Sequence, residues 1–421
     1  EPLAPHPSNV VPTLIGSTFG SWASFLEWYR GAVKGFTEPD AQVRRLAMEL
    51  TEKAKTRDDK IRALFNYVAD DIRYVNYQSG EFWLPNRPQE VLSRRQGDCD
   101  DKAILLISLL RAVGIEATEV LIQTRMTGEE SVLTSEKVAI PMFDHGIAYL
   151  PGTNGAAGIW LDATSPQSRL GPLPSMDART FAIFASEGDA KMVATPSGSP
   201  KDHGFEAQWT IKLDGNGGGE LDARERHIGD HGFVLRGNLM EAAARAQWVE
   251  QNLVAGWLPS VSLDKEIKFD ADVGQGTAVV EFRARSDGMA RKEGEELVVS
   301  LSPVSTMSGM LAPLVQRTLP VVLPPYLAPS HQNRTVRIVA PEGYEVGDLP
   351  PGGEENGGEF GKASLGIALE GPGRKVVRVT RSVVIDMSTI PVAKYGAWRG
   401  WLQRVDGLMH RGLRFVPKGR K

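Results

Sequence analysis

Apolar residues recur at helical spacing through the first 115 positions of the chain. Trp22, Phe25, Leu26, Tyr29 and Val33 form one stripe behind the capping residue Ser21, which predicts a helix starting at Trp22. Thr37-Glu38-Pro39-Asp40 signals a second helix start, for roughly 40–55. Ile61, Leu64, Phe65, Val68 and Ile72 predict a third, running from about Asp58. Arg73-Tyr74-Val75-Asn76-Tyr77 is too short and aromatic to continue it, and 78–90, with Gly80, Pro85 and Pro88, reads as a loop. From about Cys99 to Val113 the chain is apolar nearly all round, with Gly114 placed to end the helix; such a helix is buried on most sides. The period then changes. Residues 115–124 read as a strand and 125–141 as polar and irregular. Two strands at about 143–150 and 158–163 are joined by Pro151-Gly152-Thr153-Asn154-Gly155, a hairpin signal with a long loop.

From about 200 the texture is that of a β protein. Alternating apolar runs at 207–213, 277–285, 296–302, 334–340 and 375–386 are separated by Gly/Pro punctuation, Gly215-Asn216-Gly217-Gly218-Gly219 and Pro350-Pro351-Gly352-Gly353 among it. One helix is expected near 237–254. A C-terminal helix carries Tyr395, Trp398, Leu402 and Val405 on one face. The fold class is α+β. The expected divisions are a lead-in over 1–20 from a missing upstream segment, a mixed core over 21–198, a β-rich region over 199–390, and a C-terminal helix and tail over 391–421. No repeat of 20–50 residues and no Walker, dinucleotide-binding or zinc-finger spacing occurs.

With 421 residues the chain is too long for a single hydrophobic core. The apolar fraction of 41% and charged fraction of 24% are ordinary for a globular protein. A net charge of −4 gives no footprint for nucleic acid or an anionic membrane. No apolar run reaches the length of a membrane span. Residue 1 is Glu with no signal-peptide pattern after it, so a processed chain is expected.

The chain has one cysteine, Cys99. A lone cysteine forms no internal disulfide and no multi-thiolate zinc site, which leaves a buried inert thiol or a nucleophile. Cys99 falls at the N-cap or first position of the buried helix, where unpaired amides and the helix dipole favour thiolate. Its pKa is therefore expected below the free value of about 8.5, with Asp98, Asp100 and Asp101 opposing. Phe143-Asp144-His145-Gly146 and Trp160-Leu161-Asp162-Ala163-Thr164 lie at the start and end of the hairpin strands, which makes His145 and Asp162 paired or nearly so. Such a pair supplies the base and the carboxylate that orients it. Of the remaining histidines only His227 and His231 are close in sequence. Their segment contains Gly229 and lacks a third ligand, so a metal site there is not expected.

Gly97-Asp98-Cys99-x-Asp101-Lys102-Ala103, followed by Leu105-Leu106, Leu109-Leu110-Arg111-Ala112 and Gly114-Ile115, resembles the nucleophile segment of the transglutaminase-like superfamily. His145 and Trp160-Leu161-Asp162-Ala163-Thr164 match its later motifs in order and spacing, as do Ile72-Arg73-Tyr74 and the stretch from Pro85 to Leu92 upstream. The similarity covers about 20–185, and the remainder resembles the β-domains of large bacterial members. Asp100 departs from the pattern, since many relatives carry Lys there. The resemblance implies a papain-like fold, with the later β region sandwich-like, and a Cys99–His145–Asp162 triad. The implied activity is cysteine-dependent acyl transfer on amide bonds of a protein or peptide substrate through a thioester on Cys99, of transglutaminase or deamidase type. The rivals are a cysteine peptidase on the same triad and a catalytically inactive binding or assembly module. No cofactor or metal is implied, no nucleic-acid partner, and no membrane insertion; an extracytoplasmic location, periplasmic or secreted, follows by analogy. The Cys99 amide and one group from 74–96 are the expected oxyanion donors, with Tyr74, Gln78, Trp83 and Gln96 as candidates. Loop 125–141 is either a lid over the cleft or an ordinary insertion.

Overall fold

The computed structural model describes all residues except 8, 9, 13, 15, 77–83, 126–137, 139–142, 154, 166, 167, 169, 186–191, 259, 273–275, 304, 325, 420 and 421, and the side chain of Asp272. The chain divides into two compact units, one of residues 5–198 and 273–276 and the other of residues 1–4, 199–272 and 277–421.

In the first unit the helices begin where their capping residues stand. Helix α1 (Trp22–Ala32) starts at Ser21, whose hydroxyl accepts from the Ser24 amide while the Ser24 hydroxyl accepts in return from the Ser21 amide. Helices α2 (Ala41–Thr51) and α3 (Arg57–Asp71) are capped by Asp40 and Thr56. The chain then passes through β1 (Arg73–Tyr74), α4 (Pro88–Arg94), β2 (Gln96–Gly97) and α5 (Cys99–Ala112). Helix α4 lies partly in the stretch read from sequence as a loop. Pro88, one source of that reading, occupies the first helical turn, where its missing N–H costs nothing. Strands β3 (Thr118–Ile122), β4 (His145–Leu150), β5 (Ile159–Leu161), β6 (Phe181–Phe184) and β7 (Met192–Ala194) form an antiparallel sheet of order β5-β4-β3-β6-β7.

Every residue of α5 from Asp101 to Leu110 is buried. Leu105, Leu106 and Leu109 share a core with Ile61, Leu64, Phe65 and Val68 of α3 and with Ala148, Leu150 and Leu161 of the hairpin. Burying side chains of this size contributes about 1.5–3 kcal/mol each, which fixes α5 between helices and sheet and so fixes its first residue. A separate cluster packs α1 against Leu121, Phe143 and Ile183.

The second unit runs through β8 (Gly204–Leu213), β9 (Gly219–Ile228), α6 (Asp230–Leu239), α7 (Arg245–Val249), β10 (Val261–Leu263), β11 (Lys268–Asp272), β12 (Thr277–Ser286), β13 (Arg291–Glu293) and β14 (Glu296–Ser300). It continues with α8 (Met307–Leu311), β15 (Val321–Val322), β16 (Ser330–Val339), β17 (Tyr344–Val346), β18 (Gly353–Asn356), β19 (Gly361–Glu370), β20 (Val376–Ile385), β21 (Thr389–Ile390), α9 (Val392–Met409) and β22 (Gly412–Pro417). A nine-stranded sheet has the order β10-β12-β9-β8-β16-β20-β19-β18, with β11 also on β12. A four-stranded sheet has the order β13-β14-β22-β17. Both feed one core, in which Trp209, Val280 and Val379 join Leu297, Val299, Leu413 and Phe415.

The single helix expected near 237–254 is instead several pieces. Helix α6 begins earlier, after Gly229 with φ +58°, and ends at Leu239; α7 and a π turn over Glu250–Val254 follow. Tyr395, Trp398, Leu402 and Val405 face the core from α9, but the expected tail behind it is a strand, β22, with Leu413 and Phe415 buried. Among the described residues no helix is long and apolar enough to cross a membrane.

Candidate active site

Cys99 is the first residue of α5, with Asp98 as N-cap. Asp98 Oδ1 accepts from the Asp101 amide at 3.1 Å and the Asp98 amide donates back to Asp101 Oδ2 at 3.3 Å, a reciprocal cap that fixes the turn carrying the thiol. Gly97 is needed for that turn, because a Cβ there would stand 2.6 Å from Asp101 Cβ. Asp101 also accepts from the Asn86 side-chain amide at 3.1 and 3.2 Å, which ties the approach to α4 onto α5. Strands β1 and β2 pair in parallel with Tyr74 opposite Gly97, so Tyr74 comes next to the head of the helix.

His145 opens β4, opposite Ile122 of β3. In the hairpin Ala148 faces Leu161. Continuing that register, Asp162 falls across from Ile147, two residues from His145 and on the same side of the sheet. The two are diagonal rather than directly opposed, within reach of one another. His145 Nε2 lies 3.4 Å from Asp162 Oδ2, with both side chains under one-tenth exposed. Asp162 Oδ1 accepts from the Thr164 amide at 2.9 Å. The turn is held from below by Lys102, whose Nζ donates to Thr164 O at 2.8 Å, Ile72 O at 2.7 Å and Ala69 O at 3.4 Å.

Charge at the site is set by burial and by close pairs. Burial opposes ionisation of Asp162, but the His145 imidazole and the Thr164 bonds outweigh it and hold the carboxyl well below the usual range. Burial likewise opposes the imidazolium, yet Asp162 and then Cys99 keep His145 protonated well above the ordinary histidine value. Burial, followed by the neighbouring Asp100 carboxyl, pushes the Cys99 thiol up to about 11, against the pull of His145. The expectation of a lowered thiol pKa is thus corrected: enclosure of the sulfur and the acid beside it outweigh the helix terminus. Burial and Asp98 raise Asp100 to about 7, and burial and Asp101 raise Asp98 to about 6. Asp98, Cys99 and Asp100 nonetheless keep part of their surface accessible. Lys102 is lowered by burial to about 8.

Of the oxyanion candidates, Tyr74 stands close enough to Cys99 for the sulfur, after burial, to raise its phenol. Gln96 Oε1 accepts from Arg73 Nη2 at 2.8 Å. Gln78, Trp83 and most of loop 125–141 lie outside the described residues. His227 Nε2 is 3.0 Å from Glu225 Oε2 and His231 Nε2 is 3.0 Å from Tyr326 O, with the rings 6.2 Å apart, so each is engaged elsewhere. Two trios among the described residues could each present three metal-ligating atoms within 4.8 Å: Asp98, Cys99 and Asp100, and His145, Asp162 and Asp177. Asp177, fully buried, was not singled out from sequence, nor was Glu119, nor the anchoring role of Lys102. Lys102 had a signal, a lysine inside a run of apolar helix positions. Asp177 had none, since its approach to His145 depends on the path of the chain from β5 to β6.

Residues 44–151 match the model of the transglutaminase-like superfamily, a stretch that includes Cys99 and His145 and ends before Asp162. A solved structure from Parabacteroides distasonis, described as a "putative protease", aligns with 99% of the chain at a TM-score of 0.59 and 13% identity. The chain spans 62% of that structure's length. Another, from Cytophaga hutchinsonii and described as a "putative cysteine protease", has a TM-score of 0.22 at 21% identity over 32% of this chain and 42% of that one. No curated protein matches.

Proposed function

We propose that this chain, built on a transglutaminase-like core, is a cysteine-dependent acyl-transfer enzyme. The observation that carries the reading is that the His145 imidazole lies against the Asp162 carboxylate and bonds the Cys99 side chain. Cys99 gives its proton to the His145 imidazole as its sulfur bonds to the carbonyl carbon of an amide, a glutamine side chain or a peptide bond, and the C–N bond breaks as the thioester forms. The Cys99 amide, at the first helical position where amides have no intrahelical acceptor, supports the oxyanion with Tyr74 as the second candidate donor; such donors contribute on the order of 3–4 kcal/mol. His145 Nε2 lies 3.4 Å from Asp162 Oδ2, and the imidazole also bonds the Cys99 side chain. As imidazolium, His145 protonates the departing ammonia or amine, and as imidazole it then takes a proton from the attacking amine or water as the thioester is released. Asp162 fixes the ring and stabilises its charge.

The acceptor is tested by supplying casein with a fluorescent primary amine. Incorporation into casein supports a transferase, release of ammonia without incorporation a deamidase, and release of peptide fragments a peptidase. All three are expected to vanish in Cys99→Ala and to fall by 10²–10⁴ in His145→Ala. A chain that yields none of these products, with Cys99 no more reactive than a free thiol, is a binding or assembly module instead.

A further inference from the structure

Lys102 is only 1% exposed, yet its hydrogen bonds go to backbone carbonyls and not to an acid. An ammonium has three protons to donate. Three acceptors face them: Ile72 O at 2.7 Å, Thr164 O at 2.8 Å and Ala69 O at 3.4 Å. Burial opposes the charge and lowers this lysine to about 8, with Asp162 and then Asp70 acting the other way. An apolar side chain of similar length would fill the same space without desolvating a charge, so packing alone does not account for the ammonium. What the ammonium adds is a joint between three segments.

Each segment carries a part of the site. Lys102 lies at i+3 from Cys99 on α5, where residues are neighbours on the helix surface. Ala69 belongs to the last turn of α3 and Ile72 is its C-cap, so both carbonyls stand at the helix end that lacks intrahelical donors and favours a cation. Ile72 leads directly into β1, whose Tyr74 is opposite Gly97. Thr164 is the residue whose amide donates to Asp162 Oδ1 at 2.9 Å, and Asp162 Oδ2 lies 3.4 Å from His145 Nε2. The bonds therefore run from the helix of the nucleophile through Lys102 and Thr164 to the acid, and through the acid to the imidazole.

We propose that Lys102 is a positioning residue of the site: its three bonds hold the Asp162 carboxylate and the strand of Tyr74 in register with the helix that presents Cys99. It acts through Asp162 on the orientation of His145, and not on the substrate. The inference rests on the reading of Cys99 as nucleophile and His145 as its partner. Geometry at a reacting centre is steep, and a misplacement of about 1 Å costs on the order of 10²-fold in rate. Releasing Thr164 O is therefore felt at the sulfur, although the lysine touches neither the thiol nor the imidazole.

The test compares two variants of the full chain. Lys102→Met keeps the length of the side chain and removes its donors. Val68→Ala trims a buried side chain of α3 and removes no hydrogen bond. Both are expected to lower the urea midpoint. Only Lys102→Met is expected to slow alkylation of Cys99 by iodoacetamide at pH 7, read by mass spectrometry, by about tenfold to a hundredfold. Only Lys102→Met is expected to lose the low-field NMR signal of the His145 N–H proton that Asp162 holds. Lys102→Gln, shorter but with two N–H donors, serves if the methionine variant does not fold, and is expected to react at an intermediate rate. Alkylation of Lys102→Met or Lys102→Gln as fast as wild type, a His145 signal kept in Lys102→Met, or an equal loss of rate in Val68→Ala overturns the proposal. The underlying reading fails separately: wild-type Cys99 reacting no faster than a cysteine peptide, unchanged in His145→Ala, removes the nucleophile itself.

Discussion

His145 and Asp162 define the residue scale, because each changes the other's charge. The folded imidazole holds its proton above the ordinary 6.5, so its stabilisation is complete below that value and is lost as pH rises through the raised one. The folded carboxyl is depressed below the ordinary 3.8, so its stabilisation is complete above 3.8 and is lost as pH falls through the lowered one. Asp162→Asn is therefore expected to lose most stability between about pH 4 and 6.5, with the gap to wild type narrowing on both sides, as urea unfolding across pH will read. The same variant should move the alkaline limb of activity, where the imidazolium proton is lost, from above 6.5 to lower pH. Cys99, His145 and Asp162 were legible in the sequence because each sits in a motif bound to a helix head or strand end. The thiol's raised pKa was not, because it comes from enclosure by residues distant in the chain.

At the scale of the element, the head of α5 carries the site. Its apolar body was visible as the run from Ala103 to Leu110, whereas the sequence left Cys99 at either the N-cap or the first position, and the reciprocal Asp98–Asp101 cap makes it the first. Asp98→Ala removes the oxygen that accepts from the Asp101 amide. It is expected to cost about 1 kcal/mol of stability, measured as a lower urea midpoint, and to broaden the orientation of the thiol. Strand β9 shows where pattern fails. Its inward positions are Leu221, Ala223, Glu225 and His227, and the last two are buried polar residues. Glu225 is satisfied by Trp209 Nε1 at 2.9 Å, His227 at 3.0 Å and Arg334 at 3.3 Å. A buried face built from an ion network does not alternate in hydrophobicity, so the strand escaped notice. Helices α6 and α7 were merged for a related reason: the break at Met240–Glu241 contains neither Gly nor Pro.

For the whole molecule, two units with separate cores place the proposed chemistry in residues 5–198, since Cys99, His145 and Asp162 all belong to that unit. The change from helical to alternating period near residue 200 made two textures visible in the sequence. The return of the last residues as β22, beside β14 more than a hundred positions earlier, is a long-range pairing that local pattern does not encode. The central claim, that one cysteine is armed by one histidine, is tested most directly with a glutamine-containing peptide bearing an electrophile in place of the side-chain amide. Incubated with the full chain and followed by mass spectrometry, the probe is predicted to add once, on the peptide containing Cys99, and to lose that reaction in His145→Ala. No adduct on Cys99, or an adduct formed equally well without the imidazole, would contradict it.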